Sequence, residues 1–118
     1  MRPETRDAAY LWDMLDAAQA VRDFVANRTY ENYLEDRMLR GAVERHLEII
    51  GEAANKVSSS FHKTHPEIPW RQIIAQRHVL IHDYGEVQHD LVWKVATVHI
   101  PTLIEALKAM LPFQPDEV

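Results

Sequence analysis

An arginine, a histidine and a tyrosine lie within eight residues of one another in the segment Arg77–Tyr84. Arg77, His82 and Tyr84 form the pattern R-x4-H-x-Y on an otherwise apolar frame. The arginine supplies a permanent cation, the histidine titrates near neutral pH, and the tyrosine adds an aromatic hydroxyl. This combination suits a phosphate ester better than other common substrates, because it offers charge neutralisation together with proton transfer.

The chemistry that these side chains suggest is cleavage of RNA without a metal ion. His82 can act as general base on the 2′-hydroxyl or as general acid on the leaving oxygen. Arg77 can stabilise the charge that develops on the phosphoryl oxygens, and Tyr84 can donate a hydrogen bond or stack on a base. One histidine is few for two proton transfers, so His78 or a second His82 from a dimer mate is a candidate for the other.

Helical geometry limits how these groups can meet. At 100° per residue, Arg77 and Tyr84 lie about 20° apart around a helix axis, whereas His82 is displaced by about 140°. Arg77 also follows Ile73 and Ile74 by four and three residues, which puts it on or beside the predicted buried face. The groups can therefore converge only if the helix ends near His82 or if a second subunit completes the pocket.

Two other interpretations of the motif remain open from the residues alone. A histidine at a helix end and a nearby Arg–Tyr pair are often capping and packing groups. His78 and His82 are also four residues apart, the spacing of two metal ligands on a helix, but no H-E-x-x-H pattern accompanies them. We therefore predict neither a metal nor a cofactor.

Size and composition are typical of one globular all-α domain. The chain has 118 residues, of which 47% are hydrophobic, 26% are charged and only three are glycine. It contains no cysteine, which excludes disulfides and thiolate chemistry and fits a reducing cytoplasm. Because the N-terminus lacks a signal-peptide pattern and no apolar run approaches the roughly 20 residues of a membrane span, we expect a cytoplasmic protein without a membrane partner.

The formal net charge of the chain is −5. Proteins that bind long nucleic acids usually carry a basic surface, and this chain as a whole lacks one. We therefore predict no DNA binding. Any RNA chemistry must use a small cationic site, within one subunit or between two.

Hydrophobic periodicity predicts an up-and-down four-helix bundle that forms a single domain over residues 1–118. The first helix runs from about Thr5 to Val25 and the second from about Glu31 to Ser58, with Thr29 or Asn32 as a candidate N-cap. Small residues in the second helix allow another helix to approach closely, either inside the bundle or from a second subunit: Gly51, Ala53 and Ala54.

Prolines delimit the other two predicted helices. Pro69 fits the first position of a third helix that ends near His82. Asp90 is a candidate N-cap for the last helix. Pro101 predicts a kink in that helix, or a break into two helices, near His99–Ile100.

With these elements in place, the sequence resembles the HepT-like branch of the HEPN superfamily over about residues 5–111. The pattern Arg77-x4-His82-x-Tyr84 matches the signature of that branch. Three further segments resemble the family in the correct order: LEIIGEAA at 47–54, IPWRQII at 68–74 and DLVW at 90–93.

The resemblance implies a homodimeric RNase toxin of a type VII toxin–antitoxin pair, with RNA as substrate and an MntA-like minimal nucleotidyltransferase as antitoxin partner. In that family the motif arginine and histidine are catalytic, which corresponds to Arg77 and His82 here. The motif tyrosine, here Tyr84, receives AMP from the antitoxin and the toxin is thereby silenced. His78 and Asp83 are auxiliary candidates.

Two departures from the family pattern concern activity rather than fold. His78 stands where a polar residue, usually asparagine, follows the motif arginine, and residues 85–90 lack the aromatic residue that relatives often carry after the tyrosine. Two hypotheses compete with the ribonuclease: a non-catalytic module that docks a nucleotidyltransferase or binds a nucleotide at Arg77 and Tyr84, and a bundle without a ligand. The complete Arg–His–Tyr set favours the enzyme, since a docking module does not require it.

Overall fold

A computed structural model describes residues 3–80 and 87–111, with side chains over 6–76 and 87–111. In these ranges the chain is helical and contains no β-strand, which confirms the predicted all-α class. The helices are α1 (Pro3–Val25), α2 (Tyr30–Glu35), α3 (Arg37–Lys56), α4 (Ser59–Thr64), α5 (Trp70–Leu80), α6 (His89–Lys94) and α7 (Ile100–Met110). A π-helical turn, Val95–His99, joins α6 to α7.

The core of the bundle lies between α1, α3, α5 and α7. Helix α1 packs against α3 and α7, and α3 packs against α5. The apolar side chains of α1 that recur at three- and four-residue steps form one buried stripe, which comprises Leu11, Met14, Leu15, Ala18, Val21 and Val25. Removal of such side chains from water is the main term that stabilises a helical bundle of this size.

The predicted second helix, Glu31–Ser58, is two helices rather than one. The chain leaves helical geometry at Asp36, whose φ is −107° and ψ is 98°. The Asp36 carboxylate accepts a hydrogen bond of 3.0 Å from the Leu39 N–H and so caps α3. Such a side-chain bond competes with continuation of the helix, and hydrophobic periodicity does not reveal it.

The predicted cap at Thr29 is confirmed. Thr29 and Asn32 exchange hydrogen bonds between side chain and backbone N–H, both 3.0 Å long. This reciprocal pair is a capping box, and it satisfies two donors at the start of α2.

The starts of two other helices differ from the prediction, that of α5 by one position and that of α6 by two. Pro69 directly precedes α5 instead of occupying its first turn, and its carbonyl accepts a hydrogen bond of 3.0 Å from the Ile73 N–H. Helix α6 begins at His89, so Asp90 lies in the first turn and Gln88 is the N-cap residue.

The irregularity predicted near His99–Ile100 is present, and it takes the form of a π turn between α6 and α7 rather than a break in helical geometry. Residues 89–110 are helical throughout, and the irregular feature is the π turn just before the proline. A proline ring in a helix clashes with the carbonyl four residues earlier, here that of Thr97. In the π turn the Ile100 N–H bonds to the Val95 carbonyl, five residues back, which widens the helix at this point. None of the helices in the described ranges is long and apolar enough to cross a membrane.

Candidate functional site

The structure describes two of the five predicted site residues, and only by their backbone. Arg77 and His78 lie in the C-terminal part of α5. His82, Asp83 and Tyr84 lie outside the described residues, as does the predicted helix end near His82. The convergence of the motif side chains therefore stays a prediction. The geometry that can be described is that of the helix carrying Arg77 and of its surroundings.

The N-terminal end of α5 is anchored by Trp70. The indole N–H donates a hydrogen bond of 2.9 Å to the His65 carbonyl, and the indole stacks on His62 with 4.3 Å between ring centroids. His62 Nε2 in turn bonds to the Ala54 carbonyl of α3 at 3.0 Å. These contacts tie the start of α5 to the C-terminal part of α3, and so they constrain the direction in which α5 carries Arg77.

The middle of α5 lies directly against α3 at Gly51. Helix α3 can approach the backbone of α5 here because glycine has no side chain, and Ile73 on α5 is only 6% exposed. Of the two interpretations of the small residues, the contact inside the bundle is confirmed for Gly51.

A groove with a volume of about 420 Å³ runs along α5. Helix α5 forms one wall, the π turn with α7 forms the other, and a side chain of α3 lies between them. Its apolar lining includes Ile50, Ile73 and Leu103, and its polar lining includes Gln72, Gln76 and His99. Because Gln76 immediately precedes Arg77, the groove reaches the turn of α5 on which the motif begins.

A second group of polar side chains lies where α6 begins; we call it the Tyr33–His89 cluster and include Glu44 and Arg40 in it. Tyr33 is fully buried, and its ring meets that of His89 edge-on at 5.9 Å. Tyr33 Oη and His89 Nδ1 are buried and have no hydrogen-bond partner within the described ranges. Burial raises the pKa of the Tyr33 hydroxyl. Desolvation likewise raises the pKa of Glu44, against the opposing charges of His89 and Arg40.

No motif in the sequence indicates this cluster. Glu44 begins a row of acidic residues one turn apart, a spacing typical of a solvated helix face. Arg45 lies 3.7 Å from Glu48 and 3.5 Å from Glu52, as expected for such a face, but Glu44 itself is partly buried. Its environment depends on α6, which is distant in sequence, so no local spacing could have revealed it.

Among the residues that the structure describes, no three His, Asp or Glu side chains are grouped so as to hold a metal ion. The predicted absence of a metal still depends on residues beyond those ranges, because His82 and Asp83 are among them. It therefore stays a prediction.

Comparison with known proteins places this chain in a family. The family model described as "Ribonuclease HepT-like" matches residues 14–110. A Thermococcus cleftensis protein provisionally named ribonuclease HepT is 39% identical over 94 residues, which cover 80% of this chain and 86% of the relative. A Methanocaldococcus jannaschii protein provisionally named an RNase is 35% identical over 95 residues, 80% of this chain and 87% of the relative. No solved structure shows a significant match. The chain, an all-α bundle with a complete R-x4-H-x-Y motif, belongs to the HepT-like ribonuclease family.

Proposed function

We propose that this protein is a metal-independent endoribonuclease, and that it acts as the toxin of a HepT/MntA-type toxin–antitoxin pair. The observation that carries the proposal is the family match over residues 14–110, which includes the backbone of α5 and its Arg77. The sequence also supplies the three residues of the family motif, namely Arg77, His82 and Tyr84.

In the proposed reaction, His82 takes the proton of a ribose 2′-hydroxyl and the 2′-oxygen attacks the adjacent phosphorus. The bond from phosphorus to the 5′-oxygen breaks, and that oxygen leaves as a 5′-hydroxyl once it is protonated. The other product carries a 2′,3′-cyclic phosphate. Arg77 stabilises the charge on the phosphoryl oxygens. The second proton transfer falls to His78 or to His82 of the partner subunit.

The proposed active form is a homodimer. A single chain with a net charge of −5 offers little cationic surface for RNA. Pairing two motifs across a two-fold axis doubles both the arginines and the histidines of the site. We expect light scattering at micromolar concentration to give the mass of a dimer, and a monomer that cleaves RNA would contradict this part of the proposal.

The proposed control of the enzyme is the transfer of AMP to Tyr84 by an MntA-like nucleotidyltransferase. Tyr84 and Arg77 lie in the same short segment of the sequence. A nucleotide attached to Tyr84 would therefore carry a negative phosphate that can approach the Arg77 guanidinium. That phosphate would compete with the RNA phosphate for the guanidinium, and its bulk would fill the site.

Cleavage of RNA in EDTA by purified variants tests the catalytic assignment. We expect His82→Ala and Arg77→Ala to lose at least about 100-fold in rate, since positioned acid–base and electrostatic groups each contribute that much or more. Arg71→Ala is the matched control, because Arg71 is an exposed arginine on the same helix and should leave the rate unchanged. Circular dichroism checks that each variant is folded. Undiminished cleavage by folded His82→Ala would refute the assignment.

Intact mass after co-expression with a nucleotidyltransferase of the MntA type tests the control. We expect the mass to increase by AMP units, cleavage to be lost, and Tyr84→Phe to prevent both effects. If the unmodified protein does not cleave RNA and gains no mass, the non-catalytic binding module becomes the better account. In that case, nucleotide binding by the wild type that is lost in Arg77→Ala would identify the protein as such a module.

A further inference from the structure

The groove along α5 has no role in the chemistry proposed above. The buried residues that line it are apolar and include Ile50, Ile73 and Leu103. The polar residues that line it are more exposed. A volume of about 420 Å³ lies within the range of small-molecule sites in proteins. Such a groove suits a flat, largely apolar group whose edges carry hydrogen-bond donors and acceptors.

Two side-chain amides line the groove from the same wall. Gln72 and Gln76 are four residues apart on α5, so their Cβ atoms are neighbours at about 5–6 Å. Each amide offers donors from its nitrogen and an acceptor at its oxygen. Paired amides of this kind can read the hydrogen-bonding edge of a nucleobase, as occurs when proteins recognise single-stranded RNA.

The opposite wall contributes an aromatic ring. His99 lies at the end of the π turn, is exposed, and lines the groove opposite α5. Val98, beside it, is 54% exposed. An unstacked base needs apolar or aromatic surface to replace its lost neighbours, and these side chains supply that surface.

The charged residues near the two ends of the groove differ in sign. Glu67 lines the groove just before α5 begins, and a hydrogen bond from its own backbone N–H lowers the pKa of its carboxyl group. The backbone of Arg77 lies beyond the other end, about 7.5 Å along the helix axis from Gln72. A cation at that end and the Glu67 carboxylate at the other would direct the phosphate of a bound nucleotide toward Arg77.

We propose that the groove binds one unstacked base of the RNA substrate, adjacent to the phosphate that Arg77 contacts, and that Gln72 and Gln76 determine base preference. This inference depends on the proposed ribonuclease function for its biological meaning. The binding site itself can be tested without any cleavage.

Titration with the four ribonucleosides, followed by NMR of glutamine side-chain amides, is the first test. We expect the Gln72 and Gln76 signals to shift on addition of at least one nucleoside, and Gln76→Leu to weaken that binding about three- to tenfold, as the loss of one or two neutral hydrogen bonds predicts. Gln19→Leu is the matched control, because Gln19 is a half-exposed glutamine on α1 and does not line the groove.

Sequencing of cleavage products is the second test. We expect Gln72→Leu and Gln76→Leu to change the base found beside the cut while total cleavage of a mixed RNA falls by less than threefold. A change in base preference that exceeds the change in overall rate distinguishes a specificity residue from one that only maintains the fold. Gln19→Leu should retain the wild-type cleavage profile.

Three outcomes would overturn the inference. Nucleosides could leave the Gln72 and Gln76 signals unmoved while the protein cleaves RNA, or both leucine variants could keep the wild-type base preference. Alternatively, the signals could shift with protein concentration rather than with nucleoside, which would mean that a second copy of the chain occupies the groove. If the wild-type protein cleaves no RNA but its groove binds nucleosides, the proposed function fails and the binding site stands.

Discussion

The backbone of α3 at Gly51 lies against the carbonyl group of Ile73 on α5. A Cβ atom at Gly51 would be 3.2 Å from Ile73 O and 3.8 Å from Ile74 O. The first distance is shorter than an ordinary contact, and the atom that would have to move belongs to the backbone of the helix that carries Arg77. This contact therefore couples the packing of the bundle to the position of the proposed site.

Gly51→Ala is expected to lower the free energy of unfolding by up to about 2 kcal/mol. Alanine gains up to about 1 kcal/mol in helix propensity, but overpacking against a backbone atom costs about 1–3 kcal/mol. We also expect RNA cleavage by the folded variant to fall, because α5 must shift to admit the methyl group. Urea denaturation and an RNA-cleavage assay measure the two effects.

Gly41→Ala is the matched control on the same helix. A Cβ at Gly41 would meet no atom within 4 Å in the described part of the chain. This variant should therefore gain about 0.5–1 kcal/mol in stability with unchanged cleavage. If both alanine variants were stabilised to the same extent, the close contact at Gly51 would have no energetic consequence.

Tyr33→Phe is expected to leave the free energy of unfolding unchanged or to raise it by about 1 kcal/mol. The Tyr33 hydroxyl is buried and has no hydrogen-bond partner within residues 3–80 and 87–111, and burying an unpaired hydroxyl costs about 1–3 kcal/mol. Phenylalanine keeps the ring that packs against Trp93 at 5.4 Å. Thermal and urea denaturation measure the change.

Tyr33→Leu is the control for the packing of that ring, and it should lose stability. A loss of more than 1 kcal/mol in Tyr33→Phe would instead mean that the hydroxyl has a hydrogen-bond partner elsewhere. Residues beyond the described ranges and ordered water would then be the places to look for it.

Glu44→Gln is expected to stabilise the protein at neutral pH but not in acid. Desolvation raises the pKa of Glu44 above its ordinary value of 4.5, so the folded state favours the protonated carboxyl group. In the wild type this group therefore lowers stability as pH rises from about 4.5 through the folded pKa, and the penalty persists above it. Urea denaturation of both proteins from pH 4 to pH 8 should give curves that separate as pH rises.

The charged residues that face Glu44 determine what the opposite result would mean. His89 and Arg40 lower its pKa, whereas Glu48 raises it. If the wild type proved more stable than Glu44→Gln at pH 8, the carboxylate would be a net stabilising partner of Arg40 and His89. Desolvation would then not be the dominant effect.

Asp7→Ala is expected to lower the free energy of unfolding by about 1–3 kcal/mol. Asp7 is 9% exposed, and its carboxylate accepts hydrogen bonds from the Ser58 N–H at 2.9 Å and the Ser58 hydroxyl at 2.7 Å. These bonds join α1 to the start of α4, and their removal leaves the Ser58 N–H unpaired. Calorimetry or urea denaturation measures the loss.

Two variants test the reason for the effect at Asp7. Asp7→Asn keeps one acceptor oxygen and should lose less stability than Asp7→Ala. Asp16→Ala changes an exposed aspartate on the same helix and should stay within about 0.5 kcal/mol of the wild type. Equal effects of Asp7→Ala and Asp16→Ala would contradict a specific role of the contact with Ser58.

Local patterns predicted much of this protein from the sequence. The three- and four-residue spacing of apolar side chains predicted α1 and its buried stripe, because one helix buries one face whatever lies opposite. Thr29 was one of two candidate caps, with Asn32, because a capping bond joins residues only three apart, and the structure shows Thr29 to be the cap. The order of the motifs around Arg77 indicated the family, and the match over residues 14–110 confirms it.

Features that depend on competing local bonds were predicted less well. The break at Asp36 was missed because its carboxylate bonds to the Leu39 N–H without disturbing the apolar periodicity. Pro101 correctly indicated an irregular last helix, but the chain widens into a π turn instead of breaking. At Pro101 the sequence identified the position of the irregularity but not its form, and at Asp36 it identified neither.

The sequence by itself determined the all-α class, helix α1 with its apolar face, and the family, since each depends on residues that are neighbours along the chain. Tertiary structure alone decided that Gly51 meets Ile73, that Tyr33 meets His89, and that α5 and α7 leave a groove between them. Those relationships join helices distant in sequence, and they follow from how side chains of different helices fill space together. Close packing of this kind has no local signature in the sequence.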